Sequence, residues 1–150
     1  MLNIKTFMAG DHRRCDEILA IAEQAVLNQT WERALIAFTQ FQQAVLQHFA
    51  AEETLLFTAF EEKTGLRGGP TEVMRGEHTQ MRELMEAARQ ALLAQDADDY
   101  SGNTETLLIM MQQHNIKEEN VLYPLCDQHL RDQVDLLLPR LQSTINVSTD

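Results

Sequence analysis

Six residues of this 150-residue chain have types and spacing suited to metal chemistry: His12, His48, Glu52, His78, His114 and Glu118. His48 with Glu52, and His114 with Glu118, are spaced i, i+4, which on a helix points both side chains the same way. His12 and His78 each add one imidazole from a neighbouring helix. Imidazole and carboxylate without thiolate suits iron or manganese better than structural zinc, which prefers closed tetrahedral sites. Two glutamates near a common axis could each bridge two ions. Each ion would then have two histidine nitrogens and two bridging oxygens, with room for an oxo, hydroxo or small exogenous ligand. The ligand set calls for a pair of metal ions, iron or manganese before zinc, with an oxo or hydroxo bridge.

The elements that must position these residues read as helices. Asp11 to about Gln29 is a first helix, with Met8, His12, Cys15, Leu19, Ala22 and Val26 on one face. Trp31 to about Lys63 is a second, with an inward stripe of Phe38, Phe41, Val45, His48, Glu52, Leu55 and Ala59. Thr64 to Pro70 is a loop, and Pro70 opens a third helix carrying Met74, His78, Met81, Met85, Ala88 and Leu92. Asp96–Asn103 is read as a polar, solvated loop. Thr104 to about Leu122 is a fourth helix, with Leu107, Met111, His114, Glu118 and Val121 or Leu122 inward, and Pro124 ends or kinks it. His129–Gln142 is a candidate short fifth helix, and Asn146–Asp150 a frayed tail. No segment shows sustained strand alternation. The expected fold is all-α: an antiparallel up-down-up-down four-helix bundle with a possible short C-terminal fifth helix.

These stripes are apolar except at the six candidate ligands. A lone buried carboxylate costs several kcal/mol or protonates, and Lys117 and Arg14 flank the stripes rather than lie on them. A bound dication would partner every ligand at once. Taken singly, a core histidine reads more readily as a hydrogen-bonded structural residue and an H-x-x-x-E as a polar helix face.

Their recurrence separates the two readings. The halves align without gaps at an offset of 66 residues: His12 on His78, His48 on His114, Glu52 on Glu118, Met8 on Met74, Asp11 on Glu77, Glu53 on Glu119 and Leu56 on Leu122. Both halves fit H-x-x-x-E-E-x-x-L-[FY]. Two helix pairs, about residues 11–63 and 70–125 of one domain spanning 1–150, would face each other across a pseudo-two-fold axis.

At these residues the sequence resembles the hemerythrin-like, or HHE cation-binding, family, from Asp11-His12 to about Leu125. The resemblance implies a four-helix bundle holding a non-haem di-iron centre. Oxygen-carrying hemerythrins have H-x-x-x-H on the third helix, where this chain has Met74 in the first position. They also place a carboxylate five residues after the last histidine, an offset at which Glu119 stands. Glu118 matches Glu52 in the repeat and is the favoured bridge. A four-histidine, two-glutamate set is similar to the branch associated with iron-centre repair, nitric oxide and oxidative damage.

The function this implies is binding or sensing of O2, NO or peroxide, in stress defence or iron-centre repair. A ferroxidase or peroxidase, an iron store and a metal-free helical interaction module are the alternatives. With 12 Lys plus Arg against 23 Asp plus Glu, the net charge of −11 speaks against nucleic acid and against an anionic membrane surface. Two cysteines are too few for a disulfide scaffold and no secretory signal is visible, so a cytoplasmic location is expected.

Other residues near the candidate ligands read mainly as structure. Met8 and Met74 fill core, or line access to the metals. Asp11 and Glu77 are solvated or N-terminal helix charges, or else partners of an imidazole N–H, and Glu53 and Glu119 are equally open. Cys15 is a small core residue or a redox-responsive thiol. Tyr123 matches Phe57 and packs, or has a redox role, and His129 lies on the surface.

Overall fold

The computed structural model describes residues 2–146, and every element in it is helical. Helix α1 spans Ile4–Leu27 and α2 spans Trp31–Ala51. A π turn, Glu52–Leu56, carries α2 directly into α3, Phe57–Thr64. Helix α4 spans Pro70–Leu93 and α5 spans Ala97–Lys117. A second π turn, Glu118–Leu122, leads into α6, Tyr123–His129, and α7 spans Val134–Asn146. The pairs α1–α2 and α4–α5 pack side by side, α2 packs on α4, α7 lies across α2 and the first π turn, and α1 approaches α5 sparsely.

Two helices start earlier than the hydrophobic pattern indicates, because side-chain caps set their ends. The Asn3 side chain accepts the Thr6 N–H, so α1 begins at Ile4 and Asp11 lies mid-helix. The Asp96 side chain accepts the Asp99 N–H, so most of the expected Asp96–Asn103 loop is the first two turns of α5. Pro124 neither ends nor interrupts the fourth helix. It is the second residue of α6, in the first turn after the π turn, where a missing N–H is tolerated. The fifth helix is α7, shifted from the expected span to Val134–Asn146. It includes Asn146, while the rest of the expected tail, 147–150, lies outside the described residues.

The repeat extends to the backbone. Gln29 and Gln95, 66 positions apart, both take left-handed φ values, 56° and 54°. Each ends its helix identically: Thr30 N–H donates to Ala25 C=O and Asp96 N–H to Ala91 C=O. The two helices that carry the H-x-x-x-E pairs, α2 and α5, also run into their π turns at the same repeat position.

A π turn inserts one residue and rotates everything beyond it. The stripe beyond Glu52 therefore passes to Leu56 and Phe60, which are buried, and not to the expected Leu55 and Ala59, which are half-buried. Beyond Glu118 it settles on buried Leu122, leaving Val121 exposed.

The core divides into two apolar clusters. One contains Leu19, Phe38, Phe41, Met81, Met85 and Leu107, and the other Ile4, Met8, Leu56, Phe57, Leu122 and Leu141. Along α1, Met8 belongs to the second and Cys15 to the first, with His12 between them. Along α4, Met74 and Met81 flank His78 in the same way. Burial of these apolar faces holds a polar layer at a fixed height in the bundle.

Candidate metal centre

That layer contains all six residues singled out by spacing, each buried: His12, His48, Glu52, His78, His114 and Glu118. They form two halves. His12 and His48 stand with ring centroids 4.7 Å apart, and His78 and His114 with centroids 5.0 Å apart. The glutamates reach into both. Glu52 places Oε2 3.5 Å from His48 Nε2 and Oε1 3.1 Å from His78 Nε2. Glu118 places Oε1 3.1 Å from His12 Nε2 and Oε2 3.3 Å from His114 Nε2. Each carboxylate thus has one oxygen per half, the disposition a bridging ligand requires.

Every imidazole is oriented from outside by a carboxylate. His48 Nδ1 lies 2.7 Å from Asp11 Oδ2 and His114 Nδ1 lies 2.8 Å from Glu77 Oε1. His12 Nδ1 lies 2.7 Å from Glu119 Oε2, and His78 Nδ1 lies 2.7 Å from Glu53 Oε2. An Nδ1–H donated outward leaves the Nε2 lone pair pointing inward, the state a metal ligand needs. These partners obey the repeat: Asp11 pairs with Glu77 and Glu53 with Glu119. Asp11 and Glu77 are therefore not solvated charges. Glu119, at the five-residue offset, supports His12 while Glu118 faces the interior.

Three of the four outer carboxylates are themselves anchored. Arg14 Nε donates to Asp11, Lys117 to Glu77, and Arg82 forks onto Glu53 at 2.9 and 3.0 Å. Burial raises the Glu53 carboxyl, but hydrogen bonding and charge from His78 and Arg82 outweigh it and bring it to about 2. Burial likewise opposes ionising Asp11, and the contacts with His48 and Arg14 leave it lowered on balance.

Electrostatics among the protein groups alone favours protonation of His48, His78 and His114. Burial opposes charge on His48, yet Glu52 and Asp11 raise it to about 10. His78 and His114 are raised too, against their burial, by the carboxylates of Glu52 and Glu53 and of Glu118 and Glu77 respectively. This concentration of negative charge is one that protons or metal cations can satisfy.

The His78/His114 half makes the fit more specific. Glu52 Oε1, His78 Nε2, His114 Nε2 and Glu118 Oε2 are buried without a hydrogen-bond partner. One ligand atom from each of these residues lies within 4.8 Å of the others. Four unpartnered donor atoms converging on one point are costly without a cation between them. A second cluster of the same kind joins His12, His48 and Glu118.

Residues 3–126 match the hemerythrin HHE cation-binding domain. The chain belongs to the hemerythrin HHE cation-binding family. No curated protein and no solved structure gives a significant match. Membership of this family accords with the His/Glu clusters, and no helix among the described residues is long and apolar enough to cross a membrane.

Tyr123 is the residue whose position spacing alone did not reveal. Its hydroxyl lies 2.6 Å from Glu52 Oε2, 2.9 Å from Glu118 Oε1, 3.1 Å from His48 Nε2 and 3.2 Å from His12 Nε2. It stands amid the inward atoms of the His12/His48 half, so packing is not its whole role. The signal was the repeat itself, which puts Phe57 at the matching position. Cys15 lies one turn beyond His12, and burial raises its thiol to about 12, so it packs as a neutral side chain. His129 is exposed, as expected.

Proposed function

We propose that this hemerythrin-family chain holds two iron ions and binds a small ligand, O2, NO or peroxide, in a sensing or stress-defence role such as iron-centre repair. His12 and His48 would hold one ion, His78 and His114 the other, with Glu52 and Glu118 shared. The observation that carries the reading is the set of four imidazoles, each held by an outer carboxylate with Nε2 turned inward, around two carboxylates spanning both halves. When bound, the ions supply redox-active sites for a diatomic ligand. The protein holds the imidazoles in one tautomer, excludes bulk water with apolar clusters on both sides, and places the Tyr123 hydroxyl beside one half.

Met74, where oxygen carriers have a further histidine, is buried in the apolar cluster below. It supplies no imidazole, which supports reactivity over simple reversible carriage. The donor set supports iron, with manganese or zinc as substitutes. The two buried free cysteines support a reducing, cytoplasmic location.

The test is metal quantitation on anaerobically purified chain, followed by optical spectra on adding O2 and then NO. The expected outcome is two irons per chain and a spectral change with at least one gas. Absence of bound metal, or an iron-loaded protein indifferent to both gases, overturns it.

A further inference from the structure

The two halves of the metal layer differ in what the protein itself offers their inward atoms. In the His12/His48 half, Glu52 Oε2, Glu118 Oε1, His48 Nε2 and His12 Nε2 all lie within 2.6 to 3.2 Å of the Tyr123 hydroxyl. A hydroxyl donates one hydrogen bond and accepts two, so it serves up to three of these four atoms at once. Tyr123 is fully buried and directly follows the π turn that begins at Glu118. One turn thus fixes both a shared carboxylate and the hydroxyl that partners it.

The His78/His114 half has no such group. The repeat puts Phe57 where the other half has Tyr123. The Phe57 ring lies 5.8 Å from His78, and Phe49 is stacked on the same imidazole at 3.8 Å. Glu52 Oε1, His78 Nε2, His114 Nε2 and Glu118 Oε2 are left without a hydrogen bond. Glu52, His78 and Glu118 are 0% exposed, so bulk water does not serve them either. A single oxygen atom, present at position 123 and absent at 57, separates the halves.

A cation gains most where it displaces nothing. In the His78/His114 half it meets four buried atoms whose lack of a partner already burdens the folded chain. In the other half it takes over atoms that Tyr123 serves, and each hydrogen bond given up weighs roughly two- to tenfold in the binding constant. Repulsion between two dications weakens the second step in any arrangement, but it does not choose the half. We infer that the halves fill in order: the His78/His114 half takes the first ion, and Tyr123 is a positioning residue that keeps the His12/His48 half satisfied until a second ion arrives. The chain therefore has a stable one-ion form. The inference rests on the two-ion reading above and deepens it.

The test is a zinc titration of the metal-free, full-length chain, followed by NMR of its labelled histidine rings. At one zinc per chain the Nε2 signals of His78 and His114 are expected at their final positions, with those of His12 and His48 close to their metal-free ones. All four moving together, or His12 and His48 moving first, overturns the order. Calorimetry should show a second step weaker than the first by about tenfold or more. In Tyr123→Phe that second step should tighten by about fivefold or more. A merely structural role for Tyr123 would weaken both steps, and that result, or an unchanged second step, overturns its part. If Tyr123→Phe fails to fold without metal, Phe57→Tyr takes its place. It installs the repeat mate's hydroxyl beside His78 and should weaken the first step; an unchanged first step counts against the inference. A chain that takes up no metal overturns the proposed function and the order together. Two zinc ions bound in a single step overturn the order alone. One zinc held by His78 and His114, with no second, supports the order and counts against the two-ion reading.

Discussion

The two halves of the polar layer carry the same ligand types at the same repeat positions, and their surroundings differ on every side. Below the His78/His114 half stands Phe57, its ring 5.8 Å from His78; below the other stands Tyr123, 5.7 Å from His12, with its hydroxyl among the ligand atoms. Above, Phe49 is stacked on His78, whereas Asn115 borders a small cavity beside His12. Outside, Glu53 is anchored by Arg82, whereas the repeat mate of Arg82 is Asp16, whose ionisation burial and the nearby Glu119 oppose. A duplicated ligand set thus stands in two different surroundings, one half closed over by aromatic rings and the other bordered by a hydroxyl and a small cavity.

The largest expected effect comes from what the halves share. Glu118→Leu and Glu52→Leu each remove one oxygen from both halves, so metal content should fall from two ions per chain to none; retention of one ion would mean that the halves do not share their carboxylates. Selective weakening should follow from the outer carboxylates. Glu119→Gln should lower affinity for one ion and Glu53→Gln for the other, each by roughly 10- to 100-fold. Calorimetric metal titration of both variants would separate the sites, and identical losses in both binding steps would contradict two distinct halves.

Tyr123→Phe removes the feature that most distinguishes the halves. It strips Glu52 and Glu118 of their hydroxyl partner, and denaturant unfolding of the metal-free chain should show a loss of about 1–3 kcal/mol. The two metal-binding steps should also become more alike.

The pH dependence of the metal-free chain tests the electrostatics. His48 is raised from 6.5 to about 10 on folding, so its stabilising contribution is full below pH 6.5 and is lost as pH rises through about 10. The metal-free Tm should therefore fall, by roughly 5 °C, between pH 6.5 and 9.5, and metal should reverse that trend because it binds deprotonated imidazole. The smallest effect concerns the turns: Gln29→Gly and Gln95→Gly should each stabilise by up to about 1 kcal/mol by relieving a left-handed backbone. Unequal effects would show that the turns are less alike than the repeat indicates.

Much of this arrangement is legible in the sequence because ligand spacing and apolar stripes share one helical period. His12, His48, Glu52, His78, His114 and Glu118 interrupt otherwise apolar faces, and the 66-residue offset links them across the bundle. Two kinds of feature escape that logic. Phasing fails where the period itself changes: no residue type announces a π turn, so Leu55 and Ala59 were expected where Leu56 and Phe60 are buried. Capping also escapes it, since Asn3 and Asp96 fix their helix starts by a side-chain hydrogen bond that apolar spacing does not register. Asp11, Glu53, Glu77 and Glu119 occupy positions where solvent exposure and imidazole support have the same sequence signature, and the contact across helices separates them. Tyr123 was visible only as a mismatch with Phe57, a difference whose meaning depends on where the hydroxyl lands.

The most direct test of the central claim is X-ray absorption at the iron edge of the iron-loaded chain. Two shared carboxylates between paired imidazoles predict about two histidine nitrogens per iron and a second iron at roughly 3.5 Å. Isolated iron with no metal neighbour, or iron lacking imidazole scattering, would contradict it.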